Sequence, residues 1–154
     1  LNKESALKYL RDALEELGDY ALGHGTFFIY EPLNRYETNL FNLFEDACSF
    51  CRSLNTNGVK VLADLFHMSI EESDIAAALK PNSDMLGHVH FADSNRRPVG
   101  YGHTNMKPIC DTLKEINFSG FISAEAFAYP DPETAAKQTL ESFRKFFNPI
   151  DIQS

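Results

Sequence analysis

Val59-Lys60-Val61-Leu62-Ala63-Asp64-Leu65-Phe66 is an almost unbroken apolar run that holds one carboxylate near its C-terminal end. A β-branched and aliphatic run of this length reads as a strand buried on both faces. The same pattern stands on either side of it. Thr26-Phe27-Phe28-Ile29-Tyr30-Glu31 reads as a strand that ends in Glu31. Gly87 to Ala92 reads as a strand holding His90, and Gly120 to Phe127 as a strand holding Glu125.

Helical periodicity fills the gaps between these runs. Leu7, Leu10, Leu14 and Leu17 define a leading amphipathic helix, with Gly18 and Gly23-His24-Gly25 as stop signals. A polar loop from Asn34 to Asn39 precedes a helix from about Leu40 to Leu54, and Asn55 to Gly58 form a turn. A helix starting near Ile70 runs through Asp74 to Leu79 and ends before Pro81. A Gly-rich loop through Gly100 and Gly102 leads to a helix over Met106 to Ile116. Pro130 and Pro132 bracket a turn before a last helix, Glu133 to Phe147. Apolar strands alternating with helices predict a single α/β domain over residues 1–154, with a parallel sheet covered on its faces.

The four strand-end residues then need an explanation. Burying Glu31, Asp64, His90 and Glu125 without partners is very costly. The cost disappears if they converge on one cation, as strand ends of a parallel α/β barrel do. Side-chain alternation agrees. Phe27, Ile29 and Glu31 share a face, as do Leu62 and Asp64, His88 and His90, and Ser123 and Glu125.

Bulk properties exclude several classes. In 154 residues, 44% are hydrophobic and 23% charged, which is globular rather than disordered composition. A net charge of −8 disfavours nucleic acid as a partner. No apolar run is long enough for a membrane span, and Leu1 to Leu10 lacks the pattern of a signal peptide. Cys48 and Cys51 form a lone CxxC inside a helical pattern, read as two buried thiols rather than half a zinc site. An odd cysteine count, three, points to a reducing cytoplasm.

Four stretches carry a family resemblance. Glu31-Pro32-Leu33-Asn34-Arg35-Tyr36-Glu37 resembles the strand-five signature of the ketose 3-epimerases, the group of D-tagatose and D-psicose 3-epimerases. Leu62-Ala63-Asp64-Leu65-Phe66-His67-Met68 resembles their strand six. His88-Val89-His90-Phe91-Ala92-Asp93-Ser94-Asn95-Arg96-Arg97, with Gly100-Tyr101-Gly102, resembles strand seven and its loop. Ser123-Ala124-Glu125-Ala126-Phe127 resembles strand eight, although many relatives have Pro where Ala126 stands. The wider set is the xylose-isomerase-like barrels. The resemblance implies the second half of a TIM (β/α)8 barrel, strands five to eight. The complete fold typically takes about 250 residues. Two partners follow: a missing N-terminal half, or a second copy in a homo-oligomer.

The resemblance further implies that Glu31, Asp64, His90 and Glu125 bind one divalent metal ion and that Glu31 and Glu125 also transfer protons. It implies that Glu37, His67 and Arg96 contact the sugar. The chemistry is coherent. Epimerisation beside a ketone needs a proton removed from one face of a carbon and returned on the other, and two carboxylates can flank that carbon. A divalent ion stabilises the enediolate as its charge develops. Three carboxylates and an imidazole favour Mn²⁺, with Mg²⁺ or Co²⁺ as alternatives. An aldose–ketose or hydroxypyruvate-type isomerase would use the same site, and a non-catalytic metal- or sugar-binding half-barrel is the alternative from another class. An abasic-site endonuclease on a related barrel fits neither the charge of −8 nor the five scattered histidines.

Other polar residues have plainer readings. His88 reads as a hydrogen-bonded core histidine, His103 as an exposed loop residue and His24 as part of a turn. Arg97 reads either as a loop salt bridge or as a pocket contact. Phe66 and Phe91 are candidates for an apolar pocket wall.

Overall fold

The computed structural model describes residues 2–147. The expected domain range of 1–154 therefore extends beyond them at both ends. The elements are α1 (Lys3–Gly23), β1 (Phe28–Tyr30), α2 (Phe44–Arg52), β2 (Val59–Asp64), α3 (Leu65–Glu71), α4 (Ile75–Leu79), β3 (Leu86–His90), α5 (Met106–Glu115), β4 (Phe121–Ser123) and α6 (Pro132–Phe147). The four strands form one parallel sheet in the order β1-β2-β3-β4. Sequential parallel neighbours joined through helices make this half of a (β/α)8 barrel.

Alternation decides what each strand buries. Val61, Ala63, Val89 and Phe91 point into the main core, where they meet Phe44, Ala47, Cys48, Cys51, Leu79, Ile109 and Leu113 from the helices. Each fully buried aliphatic side chain there contributes about 1.5–3 kcal/mol. The helices cover this face. The opposite face carries His88, His90 and Ser123, which remain accessible. The expectation of a sheet covered on both faces is thus corrected: the second face is a barrel interior, open in a half-barrel.

Several boundaries differ from the sequence reading, each for a local reason. Gly18 does not stop α1, which continues to Gly23. Gly18 is instead the point where α1 crosses the β2 entry turn. A Cβ on it would stand 2.8 Å from Thr56, and one on Gly58 would collide with the carbonyl of Gly18. The second strand ends at Asp64 rather than Phe66, because the Asp64 carboxylate accepts the Phe66 and His67 N–H groups at 2.8 and 3.1 Å and starts α3. The helix expected from near Ile70 to Leu79 is two helices, interrupted at Glu72, Ser73 and Asp74, and Asp74 caps the second through Ala77 N–H at 3.0 Å. The α2 helix begins at Phe44, not Leu40. Phe41 holds a left-handed φ of 51°, and the Phe44 N–H is taken by Glu72, 28 residues away, at 2.8 Å. The last strand stops at Ser123, so Glu125 and Phe127 lie beyond it. The two thiols of the CxxC are buried on α2, as expected, and burial pushes them up to about 12 for Cys48 and about 11 for Cys51.

Candidate metal and sugar site

β1 and β4 are the two edges of the sheet. Strands lie about 4.8 Å apart, so in a flat sheet the edges would be about 14 Å from each other. Yet Glu31, just after β1, and Glu125, two residues past β4, reach the same atom. Glu31 Oε1 lies 3.6 Å and Glu125 Oε2 3.3 Å from His90 Nδ1. Asp64 Oδ2 lies 3.0 Å from it. Barrel curvature brings the strand ends together. One ligand atom from each of Glu31, Asp64, His90 and Glu125 lies within 4.8 Å of every other. The cluster can hold a metal ion.

Its electrostatics fit a cation. Glu31 Oε1 is buried and has no hydrogen-bond partner. An unpaired buried acceptor costs about 1–3 kcal/mol, a cost a bound cation removes. Asp64 and then Glu31 push the His90 imidazole up to about 9, against the opposing effect of its burial. Burial alone would raise the Asp64 carboxyl, but hydrogen bonds from His90 and the His67 N–H outweigh it and hold it below the usual carboxylate range. Asp64 is buried, His90 is largely so, and Glu125 is half exposed on the open side.

The expected sugar contacts surround this cluster. His67 is buried in the first turn of α3, with Nε2 3.9 Å from Glu31 Oε1. Arg96 spans the rim: Nη2 donates to Glu125 Oε2 at 3.0 Å, and Nη1 lies 3.6 Å from Glu37 Oε1. Its guanidinium rests over the Phe66 ring at 5.1 Å. Arg96 also holds a left-handed φ of 56°, a strained conformation for a non-glycine residue. Its carbonyl accepts the Phe127 N–H, which ties the loop after β3 to the end of β4.

Some expectations change here. Glu37 Oε1 lies 3.8 Å from His67 Nδ1, and Asn34 Nδ2 links them, 2.9 Å from Glu37 Oε1 and 2.7 Å from His67 Nδ1. His88 is hydrogen-bonded to Ser123 Oγ at 2.7 Å but faces the open interior rather than the core. Phe91 points away from the site into the layer under α6, against Phe143 and Phe147. Among the described residues, Arg97 neither pairs with a carboxylate nor reaches the cluster; it lies over Tyr129, 3.7 Å from the ring centre. Ala126 lines a groove of about 560 Å³ between β4 and α6, with Ala124 and Ala128, on the side away from Glu125. His103 is exposed and paired with Ser94, and His24 stacks on Tyr20 at the end of α1.

Two buried polar residues that shape the surroundings of the cluster were missed by reading the sequence: Asn34 and Asp93. Asp93 Oδ1 accepts the Ser94 and Thr104 N–H groups at 2.8 and 3.0 Å, and Oδ2 accepts Gly100 at 2.8 Å. It therefore folds the loop that carries Arg96. Gly102 packs against it so closely that a Cβ would overlap the carboxylate. Both residues sit inside recognisable motifs, but nothing local distinguishes a buried Asn or Asp from a loop one.

A parallel half-barrel with a carboxylate–histidine cluster at its C-terminal rim, able to hold a metal ion, defines an α/β-barrel protein. The chain belongs to the xylose isomerase-like TIM barrel family, whose pattern matches residues 1–146. It is 34% identical to 3-dehydro-D-guloside 4-epimerase of Escherichia coli K12 over 138 residues, 89% of this chain and 53% of that protein. It is 34% identical to D-psicose 3-epimerase of Agrobacterium fabrum over 116 residues, 75% of this chain and 40% of that protein. The crystal structure of 3-keto-D-glucoside 4-epimerase from E. coli superposes with a TM-score of 0.88 at 32% identity, covering 94% of this chain and 56% of that one. The chain thus spans about half the length, or less, of the curated relatives it matches. Among the described residues, no helix is long and apolar enough to cross a membrane.

Proposed function

We propose that this chain is the catalytic half of a divalent-metal-dependent ketose 3-epimerase. The observation that carries the proposal is the approach of Glu31 and Glu125, from opposite edges of the sheet, to the same nitrogen of His90. Two carboxylates placed in this way can serve the two faces of one carbon. Glu31, Asp64, His90 and Glu125 hold one ion, Mn²⁺ in the first instance, with Mg²⁺ or Co²⁺ as alternatives. When bound, that ion supplies positive charge beside the substrate ketone, which lowers the barrier to removing the neighbouring proton.

The protein's own groups do the rest. One glutamate takes the proton and the other returns one from the opposite side. Arg96, His67 and Glu37 hold sugar oxygens, and Phe66 supports the Arg96 guanidinium from below. The barrel is closed by an N-terminal half or by a second copy, since both sheet edges stand open. The reaction is set in the cytoplasm, where the three free thiols stay reduced.

A second reading rests on the E. coli relatives, whose names place epimerisation at carbon 4 of a 3-keto sugar. The same two carboxylates would then flank carbon 4. Proton NMR of ketoses and 3-keto glycosides turned over in heavy water by the complete protein separates the readings. Deuterium at carbon 3 supports the 3-epimerase and at carbon 4 the second reading. Label at carbon 1 or 2 identifies an aldose–ketose isomerase, and no label a binding half-barrel.

A further inference from the structure

We infer that Asn34 is a positioning residue that fixes which ring nitrogen of His67 carries the proton, so that His67 presents an N–H donor beside Glu31. The use of that donor rests on the proposed epimerase reading; the tautomer itself does not.

The argument starts from the Asn34 amide, whose orientation is determined by its neighbours. The Tyr36 N–H donates to Asn34 Oδ1 at 3.0 Å. Nδ2 lies 2.9 Å from Glu37 Oε1, a carboxylate that only accepts. Flipping the amide would set carbonyl against carboxylate and amine against N–H, so the orientation is unique. The same Nδ2 lies 2.7 Å from His67 Nδ1, and the Asn34 backbone N–H is 3.3 Å from that nitrogen. Glu37 Oε1 also stands 3.8 Å from Nδ1, beyond hydrogen-bond distance and already taken by Asn34 Nδ2. The two groups within hydrogen-bond distance of Nδ1 are therefore both donors, and Nδ1 offers them its lone pair. In the neutral ring the proton is then on Nε2.

Nε2 is buried without a hydrogen-bond partner, 3.9 Å from the equally unpartnered Glu31 Oε1. Both Asn34 and His67 are almost wholly buried, so solvent cannot replace the missing contacts. The Asn34 backbone is itself fixed, since its backbone carbonyl accepts the Glu37 and Thr38 N–H groups at 3.0 and 3.1 Å. The pocket therefore offers a preset donor to a carbonyl or hydroxyl oxygen held next to Glu31. The other tautomer would present a lone pair to that oxygen.

The test is a two-bond ¹H–¹⁵N spectrum of the histidine rings in the full chain near neutral pH, with His67 assigned by the signal lost in His67→Gln. The native ring should show the Nε2–H pattern. In Asn34→Asp a carboxylate faces Nδ1, so the pattern should invert to Nδ1–H. Asn34→Ser, which removes the amide without adding charge, should leave a mixture of tautomers. A native Nδ1–H pattern overturns the inference, as does an unchanged Nε2–H pattern in both variants. With a sugar that the complete protein turns over, Asn34→Asp should lower kcat by about 10–100-fold. If the tautomer inverts but no sugar is turned over, the epimerase reading fails and the assignment of Asn34 stands.

Discussion

Asp64 divides its carboxylate between two duties: Oδ2 faces His90 Nδ1 at 3.0 Å, while Oδ1 caps α3 through Phe66 and His67. Two substitutions separate them. Asp64→Asn keeps an oxygen for the cap and loses the charge; Asp64→Ala loses both. Mn²⁺ affinity should fall at least about a hundredfold in each, the scale of removing one charged partner from a buried group. Only the Ala variant should lose a further ~1 kcal/mol of stability from the missing cap. Calorimetric titration and thermal melts in EDTA measure the two effects. Unaltered metal content in Asp64→Asn would remove Asp64 from the ligand set.

The His90 proton gives a pH dependence with a definite sign. Its value in the folded, metal-free chain is about 9, above the ordinary 6.5 of the unfolded chain. Its ionic contribution to stability is complete below about 6.5 and is lost as pH rises through about 9. Melting temperature in EDTA should fall across that window. A metal ion must displace the same proton, so binding near neutral pH should release about one proton and tighten as pH rises. Calorimetry in buffers of different ionisation heat counts the proton. A flat melting profile together with no release would contradict the picture.

Asp93→Ala leaves three backbone N–H groups without their acceptor. At about 1–3 kcal/mol for each donor left buried and unpaired, this should be among the most damaging single changes in the loop. Amide exchange at Gly100 and Thr104 should speed up, and a sugar that depends on Arg96 should bind more weakly. Protected amides in the variant would show that the loop is held by other contacts.

Glu125→Gln keeps the shape of the side chain but cannot take up a proton. Epimerisation in the complete protein should stop, while some solvent exchange persists from the face that Glu31 serves. Normal turnover by this variant would end the two-carboxylate assignment.

The sheet edges expose Phe28 and Phe121, the latter 83% accessible. Phe127 is 62% accessible beside the groove between β4 and α6. Open edges with exposed aromatics pair with other chains. The 154-residue chain on its own should self-associate, and light scattering should find species heavier than 17.4 kDa. Phe121→Glu should shift the distribution towards monomer. A stable wild-type monomer at high concentration would refute the open-edge argument.

How much of this was legible follows from the range over which each feature is encoded. The four β/α units could be read because apolar strand runs and helical periodicity are local, and each run carries a polar or charged residue near its C-terminal end. Glu31, Asp64, His90 and Glu125 stood out for that reason. Residues whose role depends on a distant partner did not. Glu72 is unremarkable in sequence, yet it starts α2 from 28 positions away. Gly18 looks like a helix stop because its real reason, the approach of Gly58, lies 40 residues on.

The sequence by itself determined the alternating strand–helix order, the ligand-type residues near the strand ends and the buried thiols, since these follow from periodicity and residue chemistry; the half-barrel came from the family resemblance of the strand-end motifs. Tertiary structure alone decided the rest. Curvature carried carboxylates from opposite sheet edges to one imidazole nitrogen. Asn34 came between Glu37 and His67, and Asp93 gathered the N–H groups of the loop that bears Arg96. The physical reason is that hydrogen-bond partners are matched by position in space, and position in space is set only when the whole sheet and its helices have packed.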